Sequence, residues 1–266
     1  MDYKTKVQVK TWAVIIAVWV FYYVVRGYHH GPFTHYDFWI VIVLGYFISL
    51  KINLGGSAAS SYAFPDAVPE QFPMLDCGTF DRYAKELEDI GFEKVRDFSL
   101  VGQGGAPIPS FCRLYIQPRE RLYVELAQIF PPGRMPMPVM CAVQTFFDQD
   151  WSLGVGNNQP QPGAVFIRNP HAVGRAMPGK NPFDLLLGHR EWRDQMINDL
   201  GIQPQPPSWV AYRDQNQKRA QQRVEIMRKG SILLNFAKYL KRKAAPVYDW
   251  KGDWPAEAEK RRQKGF

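Results

Sequence analysis

Three of the five histidines, His29, His30 and His35, crowd into one short loop, RGYHHGPFTHYD, with Asp37 as the nearby carboxylate. Imidazole is the commonest metal ligand among side chains, so the residue type suits a metal, haem or pigment site. No Cys or Glu joins the cluster, and neither flanking apolar run has an interior histidine where a buried pigment needs one. The three therefore read as ordinary loop residues, with pigment or haem ligation as the alternative. His171 lies in NPHAVGRAMPGKNP beside Arg175 and Lys180, a set able to hold an anion, although such a polar loop is ordinarily solvated. His189 falls among helically spaced apolar residues and reads as a hydrogen-bonded core histidine.

Other chemistry is mostly excluded. GQGGAP at 102–107 is a glycine cluster after a strand, but a phosphate loop needs a helix N-terminus directly behind it. Pro107 and Pro109 follow instead, and no Walker lysine appears, so the stretch reads as a turn. Glu86, Glu88 and Asp89 share one helix with Lys85, the pattern of a solvated face. No carboxylate pair stands isolated in apolar sequence, where environment would split two acids into acid and base roles. Cys77, Cys112 and Cys141 contain no Cys-x-x-Cys pair, and an odd count argues against a disulfide framework. Two of them sit in strand-like runs and read as buried, inert thiols. No catalytic residue, metal or cofactor is assigned.

These residues need elements to position them, and the chain offers several. A basic tail, 1–10, precedes two uncharged apolar runs, 11–25 and 38–50, within the stretch 11–54. The runs read as a two-helix transmembrane hairpin, with Lys10, Arg26 and Lys51 snorkelling at the ends. Tyr22, Tyr23, Tyr28, Tyr36 and Trp39 make the expected aromatic belt. Lysines before the first run and after the second place both termini on the cytoplasmic side of a bacterial inner membrane.

A Gly/Ser/Pro linker, 55–78, leads to a globular region, 79–202. Thr79 is a candidate N-cap for a helix ended by Gly91-Phe92. Strand-like runs follow at 94–101, 111–117, 122–130, 139–147, 151–156 and 164–168, several joined by short hairpin connections. Asn181-Pro182 opens a second helix whose apolar stripe is Leu185, His189, Trp192, Met196 and Leu200, and Gly201-Ile202 ends it. The fold class expected is a membrane α-helical hairpin plus an α+β soluble domain. Its sheet would be an antiparallel meander of about six strands flanked by helices.

The net charge is +8, and residues 206–243 carry ten Lys/Arg against two acids, so the basic character is local. A long basic helix is expected within 203–245, followed by an aromatic, charged tail, 246–266. The basic helix suits acidic protein or anionic lipid headgroups, and no nucleic-acid recognition module accompanies it. Lys241, Arg242 and Lys243 with Trp250 and Trp254 are the expected interface residues, since aromatic and arginine-rich segments anchor protein contacts. The function these features imply is a non-enzymatic accessory subunit of a larger bacterial membrane complex, respiratory or photosynthetic. Its partners would be integral and peripheral protein subunits. The alternative is an anchored enzyme or small-ligand-binding domain whose cupped sheet encloses a pocket near Trp151, Phe146 and Tyr123.

Overall fold

The computed structural model describes residues 45, 59–103, 109–158, 169–229 and 249–264. In chain order the main elements are β1 (Ser61–Ala63), α1 (Cys77–Asp89), β2 (Glu93–Phe98), β3 (Val101–Gln103), β4 (Ser110–Gln117), β5 (Leu122–Ile129), β6 (Met140–Phe146) and β7 (Ser152–Gly156). There follow β8 (Ala172–Ala176), α2 (Pro182–Leu200), α3 (Trp209–Lys229), β9 (Asp249–Trp250) and α4 (Trp254–Gln263).

Local chemistry accounts for the ends of these elements. Asp76, rather than Thr79, caps α1, and its carboxylate accepts from the Thr79 amide at 3.0 Å. Gly91 turns the chain out of α1 at φ 88°, and the Phe92 amide reaches back to the Leu87 carbonyl at 3.0 Å. Asn181 caps α2 through the Asp184 amide at 2.8 Å, and Gly201 ends it in the left-handed conformation. The β6–β7 turn places Gln149 and Asp150 at positive φ, which Asp and Asn-like side chains tolerate better than branched ones.

Seven strands form one mixed sheet in the order β2-β4-β5-β6-β7-β8-β9, while β1 pairs with β3 in a separate ribbon. Strand side chains alternate between faces. Leu122, Val124 and Leu126 of β5, with Val143 and Leu153, bury one face beneath α1, α2 and α4. Tyr123 and Phe146 look the other way, where Phe98, Leu114 and Tyr212 complete a second core under α3. The sheet is thus clad on both sides, and β4 and β5 are buried along nearly their whole length.

Several sequence expectations are corrected. The sheet is mixed rather than an antiparallel meander of about six strands, because β8 runs parallel to β7. Its sequence, AVGRA, offers only Val173 to the core. Such a short polar segment becomes a strand by pairing with the open edge of β7, and a local pattern does not reveal that. The run 164–168 lies outside the described residues, and so do the hairpin segments 11–28 and 38–54 apart from residue 45.

The membrane assignment is also corrected. Among the described residues no helix is long and apolar enough to cross a membrane. Helices α2 and α3 have the length, at 19 and 21 residues, but each carries charges spread along it, such as Asp184, Arg190 and Asp194 or Arg213, Arg219 and Glu225. The two-pass inner-membrane description therefore does not stand.

The expected boundaries also shift. The stretch read as linker contributes β1, buried Ala67, and Phe64, whose ring packs tilted against Phe98 at 5.8 Å. The basic helix begins at Trp209, with Ser208 Oγ accepting from the Ala211 amide at 3.1 Å, and is described to Lys229. The tail folds back onto the chain's own core. Trp254 is buried, meets Trp192 edge-on at 5.8 Å, and donates its indole hydrogen to Asp199 at 3.0 Å.

Candidate functional site

Side-chain size along the α3 face of the sheet explains where a site forms. At the β4–β6 end, α3 rests on an aromatic pad. The Tyr212 ring lies 6.0 Å from Phe98 and 5.8 Å from Tyr123, and Tyr123 packs on Phe146 at 5.1 Å. Toward β7 and β8 the same face carries Ala142, Gly154, Gly156, Ala172 and Gly174. Bulky residues hold the helix off the sheet at one end, and nothing among the described residues fills the gap at the other. The result is an open cleft of about 540 Å³ between α3 and β6–β8. Glycine within a strand commonly marks such a close approach. A Cβ added at Gly154 meets nothing within 4 Å, so the floor there faces open space.

Helix α3 presents Asn216, Arg219, Gln222 and Arg223 along this wall at helical spacing. Tyr62, Asn169 and Trp250 close the sides. The polar groups form a chain. The Tyr212 hydroxyl donates to Glu125 at 2.6 Å, and the Gln144 amide donates to the same carboxylate at 3.4 Å. Arg219 donates to the Gln144 oxygen at 2.9 Å and lies over the Phe146 ring at 4.7 Å. Arg223 donates to the Tyr62 hydroxyl at 2.9 Å and to the Arg219 carbonyl at 3.2 Å. The Asn169 amide donates to Gln222 at 2.7 Å. Gln217 clasps the backbone of Tyr62, accepting from its amide at 2.9 Å and donating to its carbonyl, which ties β1 to α3.

Burial shapes the electrostatics of this chain. It pushes the Arg219 guanidinium down to about 10, and the like charge of Arg223 adds to the effect. Burial also raises Glu125, against the hydrogen bond from Tyr212 that favours its charged form. The Tyr212 phenol is pushed well up by burial and then by Glu125, so it keeps its proton and remains a donor. Among the described residues lining the cleft there is no His, Cys, Asp or Glu. The groups present offer charge and hydrogen bonds, which is recognition chemistry.

The structure disperses most of the residues that the sequence singled out. His29, His30 and His35, the belt residues Tyr22, Tyr23, Tyr28, Tyr36 and Trp39, and Lys241, Arg242 and Lys243 lie outside the described residues. Trp250 lines the cleft and donates to the Asn169 carbonyl at 3.2 Å, whereas Trp254 belongs to the opposite core. His171 stacks on Trp151 at 4.3 Å. Arg175 pairs with Glu191 at 3.1 Å, and Lys180 with Asp184 at 3.3 Å, so the three do not converge on an anion. His189 is buried as expected, but neither ring nitrogen finds a hydrogen-bond partner among the described residues. Burial, with Arg193 and Arg190 nearby, pushes it down to about 3, so the ring is neutral.

The pocket expected around Trp151, Phe146 and Tyr123 is displaced to the neighbouring cleft, because all three side chains are buried in the two cores. Cys112 and Cys141 are buried, and burial raises both thiols; Cys77 is exposed at the start of α1. Among the described residues no group of three or more His, Cys, Asp or Glu is placed to hold a metal ion. Sequence reasoning missed Gln144, Arg219, Arg223 and Asn169. The available signal was the glycine pair in WSLGVG, unexplained by packing in a strand, together with two arginines four residues apart on α3. No protein-family model, curated protein or solved structure matches the chain.

Proposed function

We propose that this protein is a small-molecule-binding protein whose site is the cleft between α3 and β6–β8. The observation that carries the reading is the unfilled glycine floor under a polar helix wall. A sheet face stripped of side chains at Gly154 and Gly174 forgoes apolar burial, which is the dominant favourable term in folding. An occupant for the space explains the sacrifice. The volume of about 540 Å³ falls in the range of roughly 300–1,000 Å³ usual for ligand pockets, with a few polar groups set around an apolar floor.

A thermal-shift screen of small polar metabolites against the full chain tests this reading, with Gly154→Phe as the comparison. A Cβ at this position meets nothing within 4 Å, so the larger side chain leaves the floor without an initial collision. Compounds that raise the melting temperature of the wild type should leave the variant unmoved. Equal shifts in both proteins would place binding elsewhere and remove the proposal.

A second reading, an accessory subunit held by other protein chains, has one observation in its favour. Phe183 and Leu187 stand one turn apart on α2, 50% and 48% exposed. Mass measurement and identification of co-purifying chains, with Leu187→Glu as the disruptive variant, tests it.

A further inference from the structure

The charge balance of the cleft narrows what it binds. Three arginines line it, and no acid does among the described residues. Arg175 is already neutralised, lying 3.1 Å from Glu191 and 3.8 Å from Asp249. Arg219 and Arg223 are different. They sit one turn apart on the same helix face, where like charges repel. Glu125 attracts Arg219 from beyond the Gln144 amide, but it does not line the cleft and is itself engaged by Tyr212. A guanidinium has five N–H donors. Among the described residues Arg219 directs one of them to a partner, Gln144. Arg223 directs two, to Tyr62 and to the Arg219 carbonyl. The remaining donors of the two arginines lie along the α3 wall, and Gln222 on the same wall reaches Asn169 beside Trp250. The sheet side opposite is the bare floor of Gly154 and Gly174.

Resting on the cleft reading, we infer that the ligand is a small organic anion. Its carboxylate or phosphate group is held by Arg219 and Arg223, and its flat body lies on the Gly154–Gly174 floor. The oxyanion supplies a counter-charge inside the cleft, whose described lining holds no acid, and guanidinium groups match either head group with paired hydrogen bonds. The floor suits a planar body because strand glycines present only backbone, so a ring can approach to contact distance. Binding also relieves the repulsion between the two arginines, which gives the like-charged pair a purpose in this position.

The test uses three probes of one shape: naphthoate, its neutral amide, and naphthyl phosphate. Their affinities for the full chain are measured by calorimetry or ligand-observed NMR. At least one anion should bind ~10-fold or more tighter than the amide, a difference of about 1.4 kcal/mol. Whichever anion is preferred identifies the head group. Arg223→Gln should abolish the preference, and Arg223→Lys should keep part of it. Arg223 is chosen because Arg219 also packs on Phe146 and orients Gln144. Added salt should weaken the anions and leave the amide unaffected. Gly154→Phe should weaken all three.

If the amide binds as tightly as both anions, or if Arg223→Gln leaves the preference intact, the anion inference fails. The cleft reading survives that result provided Gly154→Phe still blocks binding. If no probe binds, or if Gly154→Phe changes none of them, the cleft reading falls and the inference falls with it.

Discussion

Tyr212 donates its phenolic hydrogen to Glu125 across 2.6 Å, and this bond joins α3 to the interior strand β5. Glu125 lies among Cys112, Tyr123 and Phe146 on a face that is otherwise aromatic and apolar, so its carboxylate depends on the few donors that reach it. The Gln144 amide, at 3.4 Å, makes a longer and weaker bond to that carboxylate than Tyr212 does. The arrangement sets the angle at which α3 leaves the aromatic pad and hence the width of the cleft.

Tyr212→Phe should therefore destabilise the fold by about 1–3 kcal/mol, the usual consequence of leaving a buried acceptor without its partner. The effect should grow with pH. Glu125 has its folded value raised above the ordinary 4.5, so its contribution is fully present below 4.5 and is lost as pH rises through the folded value. The phenol opposes that rise, and removing it pushes the carboxyl higher. Urea midpoints of wild type and variant, measured from pH 4 to pH 8, should diverge toward the alkaline end. Parallel curves would show that the bond contributes nothing to the ionisation of Glu125.

His189 should govern the acid limb. Its folded value is depressed from 6.5 to about 3, so the unfolded chain takes up a proton that the folded chain refuses. Stability should be intact above about 6.5 and decline as the pH falls toward 3. At ~1.4 kcal/mol per pKa unit the full loss is several kcal/mol. His189→Leu replaces two unpartnered ring nitrogens with an apolar group of similar size. It should be close to neutral at pH 7, because nothing hydrogen-bonded is lost, and it should flatten the acid limb. Equilibrium unfolding at pH 7, 6, 5 and 4 checks both parts.

The difference between what was legible and what was not follows from the range of the forces. The C-terminal end of α1, both caps of α2, the strands β4 to β7 and the stripe of α2 are local, and Gly91, Asn181 and Gly201 mark them plainly, whereas the N-cap of α1 is Asp76 and not the expected Thr79. Strand β8 is not local. AVGRA lacks an alternating pattern and is made a strand by its neighbour β7. The tail looked like a polar end in need of a partner, and its partner proved to be Trp192 of the same chain. The cleft was the least legible feature, because it is defined by absent side chains on two strands, β7 and β8, and by the middle of a distant helix. Gly154 could be noticed in the sequence, but its pairing with Gly174 across a parallel register could not.

Trp254→Ala tests the packing of the tail. The indole is 4% exposed, and its removal from a core of this density should lower stability by about 3–5 kcal/mol. The loss should be independent of protein concentration, since the contacts lie within one chain. A dependence on concentration, or a loss below about 1 kcal/mol on the scale usual for surface positions, would mean that α4 docks on another molecule.

Two glycines should respond to the same substitution in opposite ways. Gly252 has φ 55°, and a Cβ placed there would lie 1.8 Å from the Pro170 carbonyl oxygen, which is a backbone atom and cannot swing aside. It also forms the turn that carries β9 into α4, and the Asp253 amide donates to that same carbonyl at 3.0 Å. Gly252→Ala therefore combines a disfavoured backbone region with a steric collision, and the chain can relieve both only by lifting β9 and α4 away. Gly154→Ala is the contrast. Its backbone lies outside the positive-φ set, and the added methyl meets nothing within 4 Å. By restricting the unfolded chain it should leave stability unchanged or raise it by up to ~1 kcal/mol. Hydrogen exchange should show Gly252→Ala losing protection across residues 249–264 and at Trp192, with β4 and β5 still protected. Gly154→Ala should keep the wild-type pattern throughout. If Gly252→Ala exchanges like the wild type, the turn at Pro170 is not what holds the tail on the sheet, and the contacts of α4 itself, Trp254 and Ala258 with Arg261 on the Leu200 carbonyl, anchor it.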